Sequence, residues 1–369
     1  MIPFINVRAQ REAYLKEFQQ AENEVLDSGC FIGGPVVQAL ESSLAEFTGV
    51  KHAITCGSGT DALTIALLAL GLKPGDEVIV PDFTFIAPAE CVMRLGGIPK
   101  FADIDAETLQ VSAESIESLI GEKTRGIIAV NLFGQCAPYA EIRKCALANG
   151  LWLIEDSAQA FGAMQNSIPA CTFGDISITS FYPAKPLGCY GDGGALFTAN
   201  DELAQRIRLI SNHGSQTRYI HEICGMNSRL DAIQAAILRV KFRHFKDELK
   251  KRNENARKYN EFFRAIPGIV PQKIAEGNTS TYAQYTVLAE DRATFLKQLE
   301  SAGVPYCIHY PMPLHTQPCF KELAQVCESL SASQDCASNA TVACQKVVSL
   351  PMCAFTDVDE IIARLKKVM

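Results

Sequence analysis

The sequence lacks a C-x-x-C pair, although it carries 14 cysteines among its 369 residues. That removes the usual spacing of a structural zinc site. A core of this size also needs no disulfide framework. Positive charge is not in excess: 34 Lys and Arg stand against 41 Asp and Glu, for a formal net charge of −7. This balance argues against a dedicated nucleic-acid binder. An anionic substrate must then be held by local cations, because the global field repels it. The opening residues, Met1-Ile2-Pro3-Phe4-Ile5-Asn6-Val7-Arg8, show no charged segment followed by an apolar stretch. The longest apolar run, around residues 66–70, is too short to span a bilayer. There is no internal repeat and no low-complexity tract. A soluble cytoplasmic protein is expected, with no membrane and no nucleic-acid partner. Its cysteines read mostly as small buried hydrophobes in a reducing compartment.

Apolar residues at helical spacing, Tyr14, Phe18, Ala21 and Val25, predict a helix over 9–28 that stops at Gly29. A second helical pattern covers 36–48. Strands are then expected over 53–56, 77–81, 100–103, 126–131, 151–155, 176–181 and 194–198. Helices fall between them over 61–72, 87–95 and 139–149. Such alternation implies an α/β fold, with a mostly parallel mixed sheet covered by helices on both faces. A Lys-, Arg- and Glu-rich helical stretch over 231–264 marks the domain boundary. The expected division is a large domain over 1–245 and a small C-terminal α+β domain over 246–369. The latter carries strands over 282–288 and 306–309 and helices over 292–302 and 358–368. Cys319, Cys327, Cys336, Cys344 and Cys353 recur at near-even intervals, which reads as chance burial.

Lys185 is the most informative residue. It lies between a buried-looking strand and the turn Gly191-Asp192-Gly193-Gly194, with Pro183, Pro186 and Gly188 stiffening its own segment. Upstream, Asp156 closes another apolar strand. A lysine in a crowded place is costly unless it has a task. One such task is an imine with an aldehyde cofactor whose ring nitrogen faces the aspartate. That pairing points to pyridoxal 5′-phosphate. The run Cys56-Gly57-Ser58-Gly59-Thr60-Asp61, between a strand and a helix, suits a phosphate: its glycines permit close approach and the helix start offers free N–H groups. Taken alone it equally suits a capped helix start. It also mimics a dinucleotide fingerprint, Gly57-x-Gly59-x-x-Ala62 with Asp82 downstream. An NAD-linked oxidoreductase is therefore a second reading, but it leaves Lys185 and Asp156 idle. Gln159 can donate to a ring oxygen, and Ser180 can add a hydroxyl to the phosphate. Phe85 can stack on a planar ring, whereas Phe83 reads as core. Asn227-Ser228-Arg229 is a candidate anion contact or a helix cap. The run from Ile308 to His315 can line a sugar pocket or form a Pro-rich loop.

Together these pieces, in this order, resemble the DegT/DnrJ-type family of nucleotide-sugar aminotransferases, which have the fold of type I pyridoxal-phosphate enzymes. The resemblance runs from the N-terminal helix to Ser349-Leu350-Pro351-Met352. It implies that Lys185 bonds the cofactor and shuttles the proton. It implies Asp156 at the pyridinium and Gln159 beside the ring oxygen. Gly59, Thr60 and Ser180 form the phosphate cradle, and Phe85 stacks on the ring. Asn227 and Arg229 reach the other subunit's site, which makes a homodimer the active unit. His309 and Tyr310 lie on the substrate side. Phe161 departs from the histidine many members carry there, which leaves the details of that wall open. Members that dehydrate the sugar have histidine in place of the lysine, so Lys185 implies transamination. The stretches SFYPAKPLGCYGDGGALF and HYPMPLHTQP are similar to a branch that moves the amino group of L-glutamate to C3 of UDP-2-acetamido-2-deoxy-3-oxo-glucuronate, for O-antigen or another surface polysaccharide. Other UDP- or dTDP-linked 3- or 4-keto sugars, and a non-catalytic regulator that binds the cofactor, are the remaining alternatives.

Overall fold

The computed structural model describes residues 2–320 and 338–369. Seven strands build the main sheet: β1 (His52–Cys56), β2 (Glu77–Pro81), β3 (Ile98–Ala102), β4 (Thr124–Val130), β5 (Trp152–Asp156), β8 (Ile176–Ser180) and β9 (Gly194–Thr198). Two short strands, β6 (Met164–Gln165) and β7 (Ile168–Pro169), form a separate hairpin. The sheet order is β1-β9-β8-β5-β4-β2-β3. Only β9 runs against its neighbours. Each strand is almost wholly buried along its length. Helices cover both faces, which is why these segments read as continuous apolar runs rather than alternating ones. The helix Gly59–Ala69 is buried along nearly its whole length, against β8 and β9.

A second, antiparallel sheet has the order β10 (Ile269–Pro271), β11 (Tyr285–Ala289), β12 (Val347–Leu350). The helix Ala232–Phe263, 32 residues long, serves both parts of the molecule. Its first half gives Ala235, Leu238 and Phe245 to the core around β1 and β9. Its second half gives Ala256, Tyr259 and Phe263 to the core beneath the second sheet. No described helix is long and apolar enough to cross a membrane.

Three expectations need correction. The helix over 9–28 is two helices, Val7–Ala13 and Leu15–Ser28. They part at Tyr14, whose ring stacks flat on His244 at 3.9 Å, a tertiary contact that sequence periodicity cannot anticipate. Residues 306–309 are not a strand. Only Cys307 bridges, to Ser349, and Pro305 and Pro311 flank the segment and cannot extend a ladder. The sequence reading also passed over the helices Ala113–Ser118, Asp201–Ser211 and Asn339–Lys346 and the strands β10 and β12. Of the evenly spaced cysteines, Cys344 and Cys353 are buried and Cys319 is exposed. Cys327 and Cys336 lie outside the described residues.

Candidate active site

β5 and β8 are neighbours at the centre of the sheet, so Asp156 and Ser180 emerge together beyond their carboxyl ends. Successive strand residues face opposite sides, and Glu155 and Asp156 divide accordingly. The Asp156 carboxylate accepts from the Ala158 N–H at 2.9 Å. Burial pushes this acid up to about 6, against the pull of that N–H and of the Lys185 charge. Lys185 is half-buried. Protein nevertheless surrounds it closely enough that burial draws its amine below the ordinary lysine range, with the Asp156 charge opposing. The Lys185 N–H donates to the Tyr182 carbonyl at 2.8 Å. Gly188 closes this turn; a Cβ there would meet the Pro183 carbonyl oxygen at 2.8 Å.

Glu155 lies beneath, fully buried. Its Oε1 accepts from Asn131 Nδ2, Ser157 Oγ and the Cys171 N–H, at 2.9, 2.7 and 2.7 Å. Its Oε2 accepts from the Phe173 N–H and Ser177 Oγ, both at 2.8 Å. This network holds β5 to its surroundings directly behind Asp156. The sequence reading gave Glu155 no role, and its place beside Asp156 in an apolar strand was the one available signal.

At the start of the helix Gly59–Ala69, Ser58 caps Asp61 N–H with its hydroxyl oxygen at 3.0 Å. The N–H groups of Gly59 and Thr60 stand in the first turn, without acceptors inside the helix. A Cβ on Gly59 would sit 2.7 Å from Ser180 Cβ. One on Gly194 would sit 2.6 Å from the Ser58 carbonyl carbon. The helix start, β8 and β9 therefore meet backbone to backbone, and only glycine fits. Ser180 Oγ accepts from the Tyr182 N–H at 3.2 Å and keeps its own proton to donate. Ser228 fastens the loop: its hydroxyl accepts from Gly57 N–H at 2.9 Å and donates to Asp61 at 2.7 Å.

Above the cavity, Gln159 Oε1 accepts from the Phe133 N–H at 2.7 Å and its Nε2 donates to the Tyr310 hydroxyl at 3.2 Å. One Gln159 N–H, expected to face a ring oxygen, thus meets Tyr310. Phe133 itself sits at φ 61°, in the left-handed region that non-glycine residues avoid. Phe85 is 54% exposed, whereas Phe83 is buried. His309 Nδ1 pairs with Ser349 Oγ at 2.9 Å. Burial, joined by the Lys185 charge, lowers this imidazole to about 4, so it is neutral at physiological pH. Phe161 packs in the core against Phe47, Phe197 and Phe245.

Asn227 and Arg229 are exposed, and among the described residues no hydrogen bond joins either to those around Lys185. Arg229 donates to Asn212 Oδ1 at 3.1 Å. Around them lie the exposed apolar side chains of Phe31, Ile32, Tyr219, Ile220 and Ile223.

Asp82, the acid of the dinucleotide reading, is engaged elsewhere. Its carboxylate accepts from the His315 backbone N–H at 2.9 Å and pairs with His315 Nδ1 at 2.6 Å. Both side chains are almost fully buried. The hydrogen bond to Asp82 raises His315 above its ordinary value. A raised imidazole stabilises the fold fully below its unfolded value of roughly 6.5 and loses that contribution as pH rises through the folded value. Wild type is therefore expected to lose stability relative to His315→Asn as pH climbs above neutrality. Denaturation at a series of pH values measures this; a difference independent of pH rejects it.

The model of the DegT/DnrJ/EryC1/StrS aminotransferase family matches residues 13–366. A Pseudomonas aeruginosa protein named UDP-2-acetamido-2-deoxy-3-oxo-D-glucuronate aminotransferase is 45% identical over 318 residues, covering 86% of this chain and 88% of that protein. The crystal structure of a DegT DnrJ EryC1 StrS aminotransferase from Brucella abortus matches with a TM-score of 0.92 at 37% identity, over 100% of this chain and 99% of that one. NtdA from Bacillus subtilis, solved with the cofactor PMP bound, matches with a TM-score of 0.88 at 30% identity, over 96% of this chain and 82% of that one.

Proposed function

Because the chain belongs to the DegT/DnrJ/EryC1/StrS aminotransferase family, we propose that it carries the amino group of L-glutamate to C3 of UDP-2-acetamido-2-deoxy-3-oxo-glucuronate. It is a pyridoxal-phosphate-dependent transaminase of nucleotide sugars. The product's use in O-antigen or another surface polysaccharide, and a cytoplasmic location, belong to the same proposal.

The residues fit the cofactor. The space a Cβ on Gly59 or Gly194 would invade is occupied by Ser180 and Ser58. This close packing sets the free N–H groups of the helix start next to Thr60 and Ser180, the donors a phosphate would need. Asp156, at the floor, suits a charge-assisted hydrogen bond to a protonated ring nitrogen. Bound there, pyridoxal phosphate supplies the electron sink for the bonds broken next to the transferred nitrogen. Lys185, its amine drawn down by burial, has the reach and basicity to take a proton from the donor's α-carbon and return it, as general base and then acid. Phe85 covers one side. Tyr310 lies beside it, with its ring centroid 6.4 Å away, and Gln159 and neutral His309 continue that wall. The observation that carries this reading is the Lys185–Asp156 pair, each within reach of the other's charge.

The uronate and diphosphate need cations, and Arg229 offers a planar fork for either. Its exposure, beside Asn227 and the apolar residues around Phe31 and Tyr219, supports a homodimer in which both reach the partner's site. The two cores on the long helix support a large cofactor lobe over 1–245 and a smaller lobe over 246–369.

Purified protein loaded with the cofactor should show a visible absorption band. L-glutamate should bleach it, and UDP-2-acetamido-2-deoxy-3-oxo-glucuronate should restore it. A band indifferent to glutamate, or a bleached protein that the keto sugar leaves bleached, rejects the proposal.

A further inference from the structure

Residues 227–230 alternate: Asn227 and Arg229 are exposed, and Ser228 and Leu230 are buried. Side chains of an extended segment leave its two sides in turn. Whatever holds Ser228 inward therefore holds both its neighbours outward. The Gly57 N–H can only donate, so Ser228 Oγ accepts from it at 2.9 Å. The one hydroxyl proton then goes to Asp61 Oδ2 at 2.7 Å. These two partners flank Ser58, Gly59 and Thr60, the turn assigned to the phosphate. Asp61 is also tied into that turn through its own N–H, which Ser58 caps at 3.0 Å. The packing leaves no slack: a Cβ on Gly57 would lie 2.9 Å from Asp61 Oδ2 and 3.3 Å from Ser228 Oγ. On its other side the loop is fixed by backbone. The Ser228 N–H donates to the Ser211 carbonyl at 3.0 Å and the Met226 N–H to the Ile210 carbonyl at 2.7 Å, both at the end of the helix Asp201–Ser211. Ser228 is 2% exposed and its proton is committed, so it has nothing to offer a ligand directly. Its task is to place other groups.

We propose that Ser228 is a positioning residue for two active sites at once. Through Gly57 and Asp61 it holds the phosphate turn of its own subunit. Through the same two bonds it fixes the outward course of Asn227 and Arg229 toward the partner subunit's substrate. This rests on the shared transaminase site proposed above.

Hybrid dimers, purified through a different tag on each subunit, separate the two tasks. One subunit carries Lys185→Ala, so only the other subunit's site turns over. That site uses its own phosphate turn and the Arg229 of the Lys185→Ala subunit. Ser228→Ala placed in the active subunit should weaken binding of pyridoxal phosphate about tenfold. Placed instead in the Lys185→Ala subunit, it should raise KM for UDP-2-acetamido-2-deoxy-3-oxo-glucuronate about tenfold at saturating cofactor, with kcat changed about twofold or less. Asp61→Ala in the Lys185→Ala subunit keeps Ser228 but removes the acceptor of its proton, and should reproduce that rise in KM. Ser228→Thr keeps the hydroxyl and should restore wild-type values in both arrangements. A residue that served only its own phosphate turn would leave KM untouched from the Lys185→Ala subunit. Wild-type KM for both Ser228→Ala and Asp61→Ala in that arrangement therefore overturns the reach to the partner. Unchanged cofactor binding in the first arrangement overturns the hold on the phosphate turn. Arg229→Ala that raises KM only when placed in the active subunit overturns the shared site itself, which separates the two failures.

Discussion

Lys185→Ala should abolish the visible absorption band of the cofactor-loaded protein and lower turnover by roughly 10³-fold or more, the scale set by loss of a covalent anchor together with a general base. Alanine removes the amine while leaving the turn intact, since that turn is made by backbone bonds and Gly188. The fold should not suffer: burial disfavours the charged amine at this position, so truncation relieves a cost. Absorbance and steady-state assays, with a denaturation curve as control, decide it. A stable variant with full turnover ends the mechanism. The same variant tests sharing of the site. Mixed in equal amounts with Arg229→Ala and allowed to exchange, it should recover roughly a quarter of wild-type activity, from one intact site in each hybrid dimer. No recovery rejects a shared site.

Glu155→Gln should destabilise the protein by about 3 kcal/mol or more, although it changes one oxygen to an NH₂. Each carboxylate oxygen receives a backbone N–H, from Cys171 on one side and Phe173 on the other. Whichever way the new amide is placed, its NH₂ confronts an N–H that cannot reverse. The serine hydroxyls of Ser157 and Ser177 can rotate to accept, but the two backbone donors cannot. The damage should reach the cofactor, because β5 carries Asp156 on its other face. A urea titration should show the lost stability, and cofactor affinity should fall with it. A variant as stable as wild type would mean that this network contributes nothing.

The residues legible in the sequence share one property: a local pattern announces them. Lys185 sits among prolines and glycines after an apolar strand. Asp156 ends such a strand. Gly59 and Thr60 open a helix directly after one. Their places follow from strand order and from the rule that α/β sheets bind ligands at the strands' carboxyl ends. The expected α/β sheet with helices on both faces follows for the same reason. What could not be read depends on partners distant in the chain. Gln159 meets Tyr310 across 151 residues, and Asp82 meets His315 across 233. No periodicity encodes either pairing. The false strand over 306–309 and the continuous helix over 9–28 arose because short apolar patterns fit local rules that tertiary contacts override. Asn227 and Arg229 matched their motif, yet the single chain leaves them outside the cavity.

The helix Ala232–Phe263 carries a constraint on how this chain can change. An α-helix turns about 100° per residue. One residue added or lost near its middle would keep the helix but rotate Ala256, Tyr259 and Phe263 by that angle relative to Ala235, Leu238 and Phe245. Either the second sheet would swing round with them, carrying His309 and Tyr310 off the cavity, or its core would open. Insertions of four residues come back to within about 40° of the original phase. Length variation in this segment is therefore tolerable only in whole-turn steps, while the loops around it are free to drift.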